Sequence, residues 1–142
     1  ANPIRYMLEE TGTPYKQQLL TCKGDIESLR ASGKLLYGQV PLLEIDGLNI
    51  VQTEACLRHV ARAHNMLGGD ARECALVDMV HAATSDIRVG SLPIAFKPEI
   101  ERAPHLRAHI DTAIPKFLGP IDRLLGESKT GFVAGGGGVT LP

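Results

Sequence analysis

A chain of 142 residues with 44% hydrophobic and 22% charged side chains can fill one ordinary domain or two compact sub-domains, and neither value is that of a disordered polymer. Fifteen Lys+Arg against 16 Asp+Glu leave a formal charge of −1, which gives no electrostatic reason to expect nucleic acid or an anionic membrane as partner. No apolar run approaches the ~20 residues needed to cross a bilayer, and nothing at the start reads as a signal peptide.

Cys22, Cys56 and Cys74 are widely spaced and form no C-x-x-C pair, which argues against a disulfide framework, a structural zinc site and a dithiol redox motif. A reducing cytoplasm is the default setting for such cysteines. With no Trp, three Phe and three Tyr, stacking platforms for single-stranded nucleic acid are not expected either.

In chain order, Asn2 is predicted to cap a first helix with Pro3 at its first position, and Gly12 to end it. Tyr15 to Leu20 reads as a short strand, followed by a polar helix around Asp25 to Ala31 that Gly33 stops. Leu42-Leu43-Glu44-Ile45 and Leu48-Asn49-Ile50-Val51 flank Asp46-Gly47, a strong hairpin signal because a type I′ turn needs positive φ at both central residues. Helical spacing takes over from Thr53, which is expected as N-cap. Leu57, Val60, Ala61 and His64 form a stripe that ends near Gly68-Gly69. A further helix opens at Asp70, with Leu76, Val80, Ala83 and Ile87 on one face. Another keeps Leu106, Ile110, Ala113, Ile114, Phe117, Ile121, Leu124 and Leu125 on one side, with Pro115 and Pro120 expected to kink it. Gly135 to Gly138 predict a mobile loop. No helix opening with Lys-Ser/Thr follows, so they do not predict a phosphate cradle. The opening on a helix turn without Met and a capping Thr140 just before Pro142 suggest a piece of a longer protein, cut at both ends.

Two fragments carry the chemistry. In Gln39-Val40-Pro41 a proline enters a strand; an ordinary trans-proline is the plainer reading, since only about one X–Pro bond in twenty is cis. Gln52-Thr53 stand where the hairpin hands over to a helix, whose free N–H groups favour a carboxylate. The plainer reading there is a capping threonine and a solvated glutamine. His105 and His109, at i and i+4, lack an evident third metal ligand.

Taken together, Gln39-Val40-Pro41, the hairpin and Gln52-Thr53-Glu54-Ala55 resemble the glutathione site of the cytosolic glutathione transferases, Tyr-type classes such as alpha, pi, mu and sigma. Pro3-Ile4-Arg5-Tyr6-Met7-Leu8-Glu9 resembles their first helix and Leu57-Arg58-His59-Val60-Ala61-Arg62 their third. Leu76-Val77-Asp78-Met79-Val80 with Ser85-Asp86-Ile87-Arg88 resembles their fourth, and Gly131-Phe132-Val133 through Leu141 the approach to their sixth. The fold so implied is an α/β thioredoxin-like domain over 1–67, lacking its first strand, then a partial all-helical domain over 70–142.

The resemblance implies that glutathione pairs with the Val40 backbone before a cis-Pro41, and that Gln52 and Thr53 take its γ-glutamyl end. It further implies that Arg30 and Gln39 meet the glycine carboxylate, and that Asp86 reaches the glutamyl amine of ligand on a neighbouring subunit. Tyr37 is implied as an aromatic anchor of a homodimer. Arg30 as a solvated helix-end cation, Asp86 as an exposed carboxylate and Tyr37 folded onto its own core remain the alternatives. The implied function is a transferase that activates the glutathione thiol for attack on a small electrophile, with glutathione as co-substrate and no metal. A non-catalytic module of crystallin, elongation-factor or complex-subunit type is the alternative. The Tyr or Ser that would stabilise the thiolate is expected upstream of Ala1, so no catalytic residue is placed in this chain.

Overall fold

The computed structural model describes residues 2–134 and 138–141. It divides into two compact units, Ala1–His64 and Asn65–Pro142. The first contains α1 (Asn2–Glu10), α2 (Lys23–Ala31), β1 (Leu42–Ile45), β2 (Leu48–Val51) and α3 (Thr53–Ala63). The second contains α4 (Ala71–Ser91), a 3₁₀ turn (Leu92–Phe96) and α5 (Glu99–Glu127).

In the first unit α1 packs on α3 and α3 on β2. Ile4, Met7 and Leu8, spaced i, i+3, i+4, make the buried face of α1, and Cys56, Leu57, Val60 and Ala61 that of α3. Leu35 and Val51 complete the core. Each large side chain buried there stabilises the unit by about 1.5–3 kcal/mol relative to exposure. The predicted stripe on α3 holds except at its end: His64 is exposed at the C-cap and its ring meets the Thr13 hydroxyl at 3.0 Å.

Asn2 is the first helical residue of α1, and its side-chain oxygen accepts a bond from the Arg5 guanidinium. The helix closes as predicted at Gly12, whose φ of +64° lets Thr13 N–H reach Leu8 C=O (2.9 Å) and Gly12 N–H reach Glu9 C=O (3.1 Å). The hairpin also forms as predicted. Leu42 pairs with Val51 and Ile45 with Leu48, and Asp46 (φ 52°) and Gly47 (φ 75°) supply the two positive angles of the turn.

The capping expectation for Asn2 fails, since Asn2 is itself helical and Pro3 is the second helical residue, and two further expectations for the first unit fail. Tyr15 to Leu20 is not a strand, because the sheet of the described residues contains only β1 and β2 and leaves that segment no ladder partner. Side chains hold it to α1 instead. Tyr15 Oη donates to Glu9 at 2.8 Å, which pushes the phenol pKa up, and Arg5 donates to Gln17 at 2.8 Å. Thr53 is not the N-cap of α3; Gln52 is, and Thr53 is the first helical residue.

In the second unit Asp70 caps α4 as predicted, its carboxylate accepting from Glu73 N–H at 2.8 Å, while Glu73 accepts from Gly69 N–H at 2.8 Å. The predicted stripe of Leu76, Val80, Ala83 and Ile87 is only half buried; Val77 and His81 are the buried residues of α4. α5 is longer than its apolar stripe and stays helical through Pro104, Pro115 and Pro120. α4 and α5 meet closely where His109 Nε2 lies 2.9 Å from Ile87 C=O, with the imidazole against Gly90. His105 bonds within its own helix, to Glu101 C=O at 2.8 Å, so the two histidines serve different partners. No helix among the described residues is long and apolar enough to cross a membrane. The mobile-loop expectation for Gly135 to Gly138 falls mostly on residues outside those described.

Candidate functional site

The hairpin register brings the two chemistry-bearing fragments together. Since Leu42 opposes Val51, the next positions outward are Pro41 and Gln52, neighbours across the end of the ladder. The Val40–Pro41 bond is cis. Val40 is exposed and Gln39 beside it is exposed as well.

At Gln52 the chain leaves β2 and enters α3 with φ 72° and ψ 120°, outside the ordinary allowed regions for a residue with a Cβ. Such a conformation costs on the order of 1–3 kcal/mol and persists only where its surroundings dictate it. Its C=O receives the first bond of α3 from Cys56 N–H at 3.0 Å. The opening N–H groups of α3 and the positive end of its dipole therefore stand beside the Pro41 end of the hairpin, a disposition that suits a carboxylate. The Cys56 thiol is buried under this corner. Burial pushes its pKa up, and it donates weakly to Ile50 C=O at 3.5 Å.

Arg30 is tied to the loop that carries Gln39. Its Nε donates to Gly38 C=O at 2.7 Å, and Gly38, at φ +64°, closes a turn back to Leu35 C=O at 2.9 Å. The guanidinium, though exposed, is thus held one residue from Gln39. Sequence reasoning missed Gly38; the glycine between Tyr37 and Gln39 was the available signal, because a positive φ there presents the carbonyl to the arginine. Leu35 turns inward while Leu36 and Tyr37 turn out, with Tyr37 62% exposed. The alternative in which Tyr37 folds onto its own core is therefore not what the structure has.

Asp86 lies on α4 in the second unit and is exposed. An apolar depression of the second unit, lined in part by Leu76, Val80, Leu125, Phe132 and Leu141, contains none of the predicted site residues. Among the described residues no three His, Cys, Asp or Glu side chains gather as a metal centre. The three cysteines are free thiols, exposed at Cys22, buried at Cys56 and half-buried at Cys74.

A two-stranded hairpin flanked by helices, with a cis-proline at its mouth and a helix rising from its far strand, followed by an all-helical region, defines a thioredoxin-like domain joined to a helical one. Residues 1–62 match the family described as glutathione S-transferase, N-terminal domain. The chain is 31% identical over 133 residues to glutathione S-transferase alpha-5 of Rattus norvegicus and 32% identical over 133 residues to alpha-3 of the same species. Each alignment covers 94% of this chain and 60% of the relative. Among solved structures it superposes, at a TM-score of 0.84 and 27% identity, on monomeric Na-GST-3, a glutathione S-transferase of Necator americanus, over 99% of this chain and 69% of that one. The chain is similar to glutathione transferases over nearly its whole length, and it spans less than two thirds of the length of the rat relatives it matches.

Proposed function

We propose that the corner formed by Arg30, Gln39, Val40, Pro41, Gln52 and Thr53 is the binding half of a glutathione site in a cytoplasmic transferase. The observation that carries this reading is the ladder register, which sets Pro41 beside Gln52 and both beside the start of α3. An extended tripeptide with a carboxylate at each end fits such a corner: backbone pairing at Val40 for its middle, the α3 N-terminus with Gln52 and Thr53 for one carboxylate, Arg30 and Gln39 for the other. Asp86 is the proposed partner for the glutamyl amine of ligand on a second subunit.

A free thiol has a pKa of ~8.5, so only a few per cent is thiolate at neutral pH. Stabilising the thiolate raises the concentration of the nucleophile that attacks the electrophile, and needs neither a metal nor a covalent enzyme intermediate. A hydroxyl donor to the sulfur would do this, and the corner named above supplies position and orientation. Titration calorimetry tests the reading directly. Glutathione binds with micromolar-to-millimolar affinity and Gln52→Ala weakens it; no heat at millimolar glutathione rejects the site. Tyr37 is the proposed dimer anchor. Tyr37→Ala shifts sedimentation toward monomer if so, and an unchanged mass, as a chain behaving like the monomeric hookworm relative would give, rejects that role.

A further inference from the structure

Arg30 stands in the last turn of α2, eight residues before Gly38, and its Nε donates to Gly38 C=O at 2.7 Å. Gly38 is held at its other end as well. Its N–H donates to Leu35 C=O at 2.9 Å and closes the turn that presents Leu36 and Tyr37 to solvent. A residue whose N–H and C=O are both committed has little freedom in φ, and here φ is +64°. Turning it to a negative φ with the N–H held swings the carbonyl off the guanidinium.

We propose that Gly38 is a specificity-determining residue of this corner: its positive φ fixes the Arg30 guanidinium, whose two terminal nitrogens then select a peptide ending in a carboxylate over one ending in a neutral group. The inference rests on the site reading above and adds to it the residue that orients the arginine. With Nε committed to the carbonyl, Nη1 and Nη2 keep a parallel pair of donors, the fork that meets both oxygens of a carboxylate. An arginine already oriented loses less rotamer freedom when the ligand arrives, and the gain goes to the ligand that uses both donors.

The other groups nearby leave that fork to the ligand. Lys34, the base between α2 and β1, is paired with Glu44 at 2.5 Å. Among the described residues no carboxylate of the chain pairs with Arg30, whereas Arg107 is met by Asp111 and Lys97 by Glu101. Space is not what requires glycine at position 38: an added Cβ would lie 3.8 Å from Arg30 Nε, an ordinary contact. Conformation requires it, since a φ near +60° brings most side chains into a backbone clash that Asn tolerates better than others.

Glutathione and glutathione amide, which differ only at the glycine end, are the two probes. In calorimetry of the whole chain the native protein prefers the acid by about tenfold. Gly38→Ala reduces that preference by about three- to tenfold through weaker binding of the acid alone, while Gly38→Asn, which accepts the same φ, keeps it. In an Arg30→Gln background Gly38→Ala has no further effect on either ligand. Without ligand, the Arg30 Nε–H exchanges more slowly by NMR in the native chain and in Gly38→Asn than in Gly38→Ala. A preference that Gly38→Ala leaves intact, an equal loss of both ligands, or a loss in Gly38→Asn as large as in Gly38→Ala overturns the role of Gly38. If neither ligand binds the native chain, the site reading falls and the selectivity with it. If both bind and the arginine signal ignores Gly38, only the role of Gly38 falls.

Discussion

The two units of this chain use the same apolar residue types to different ends. In the first, short helices and a hairpin converge so that Met7, Cys56, Leu57, Val60 and Ala61 are almost wholly removed from water. In the second, helices of 21 and 29 residues bury Val77, His81 and Ala113 while leaving Met79, Val89, Leu106, Ile110 and Leu125 substantially exposed. Phe96 and Ile100, between and at the start of these helices, are 89% and 87% exposed. The difference teaches that helical periodicity is a reliable statement about which face is apolar and a poor one about how deeply that face is covered. The α/β unit combines a tight core with a strained, polar corner. Strain at Gln52 is tolerated because the core beneath it is rigid.

The sharpest way to break this comparison is a matched pair of truncations. Leu57→Ala, at a site 2% exposed, should destabilise the first unit by about 2–5 kcal/mol in urea unfolding, against well under 1 kcal/mol for Leu106→Ala at a site 45% exposed. Equal losses would mean that exposure misjudges the two units.

A smaller effect is expected where the second unit is tight. Gly90→Ala sets a methyl about 2.5 Å from the His109 ring and should cost about 1–3 kcal/mol, net of the ~0.5–1 kcal/mol that alanine returns to a helix. Adding His109→Ala should recover part of that loss in a double-mutant cycle; strictly additive losses would show that the helices separate freely there.

Gln52→Gly sharpens the contrast between core and corner. Glycine adopts the φ of 72° without a Cβ clash, so stability should change by no more than about 1 kcal/mol, in either direction, while glutathione affinity drops. A marked loss of stability would show that the Gln52 side chain, and not its backbone, holds the corner.

The smallest effect belongs to α2. Asp25 accepts from Thr21 N–H at 2.7 Å, from Cys22 N–H at 3.1 Å and from the Thr21 hydroxyl at 3.1 Å, and the first of these chiefly holds its carboxyl below the usual range. A depressed carboxylate contributes stability that is complete above its unfolded pKa of ~3.9 and is lost as pH falls through the lower folded value. Amide exchange at the start of α2 should therefore accelerate only in strong acid, and Asp25→Asn should show the faster exchange already at neutral pH.

Much of the fold was legible because its signals are local. Asp46-Gly47 between β-rich runs, Gly12 and Gly33 after helices and Asp70 before one each dictate a backbone conformation through their own side chains or lack of one, and all four stand where expected. Tyr15 to Leu20 was misread because a short run of residues can suit a strand locally, while a strand also requires a partner. In the candidate site, residue types were legible and their placement was not. Nothing within Arg30 itself says that Gly38 C=O will hold it, and the sequence assigned the start of α3 to Thr53 because a capping side chain is visible where a strained glutamine backbone is not.

The sequence by itself determined the order of helices and turns and the apolar faces, since these follow from side-chain chemistry and nearest neighbours. Tertiary structure alone decided that Pro41 stands beside Gln52, that Gln52 takes a positive φ and that Tyr37 faces outward. Each of these depends on which distant segments share the core, and packing settles that for the whole unit at once.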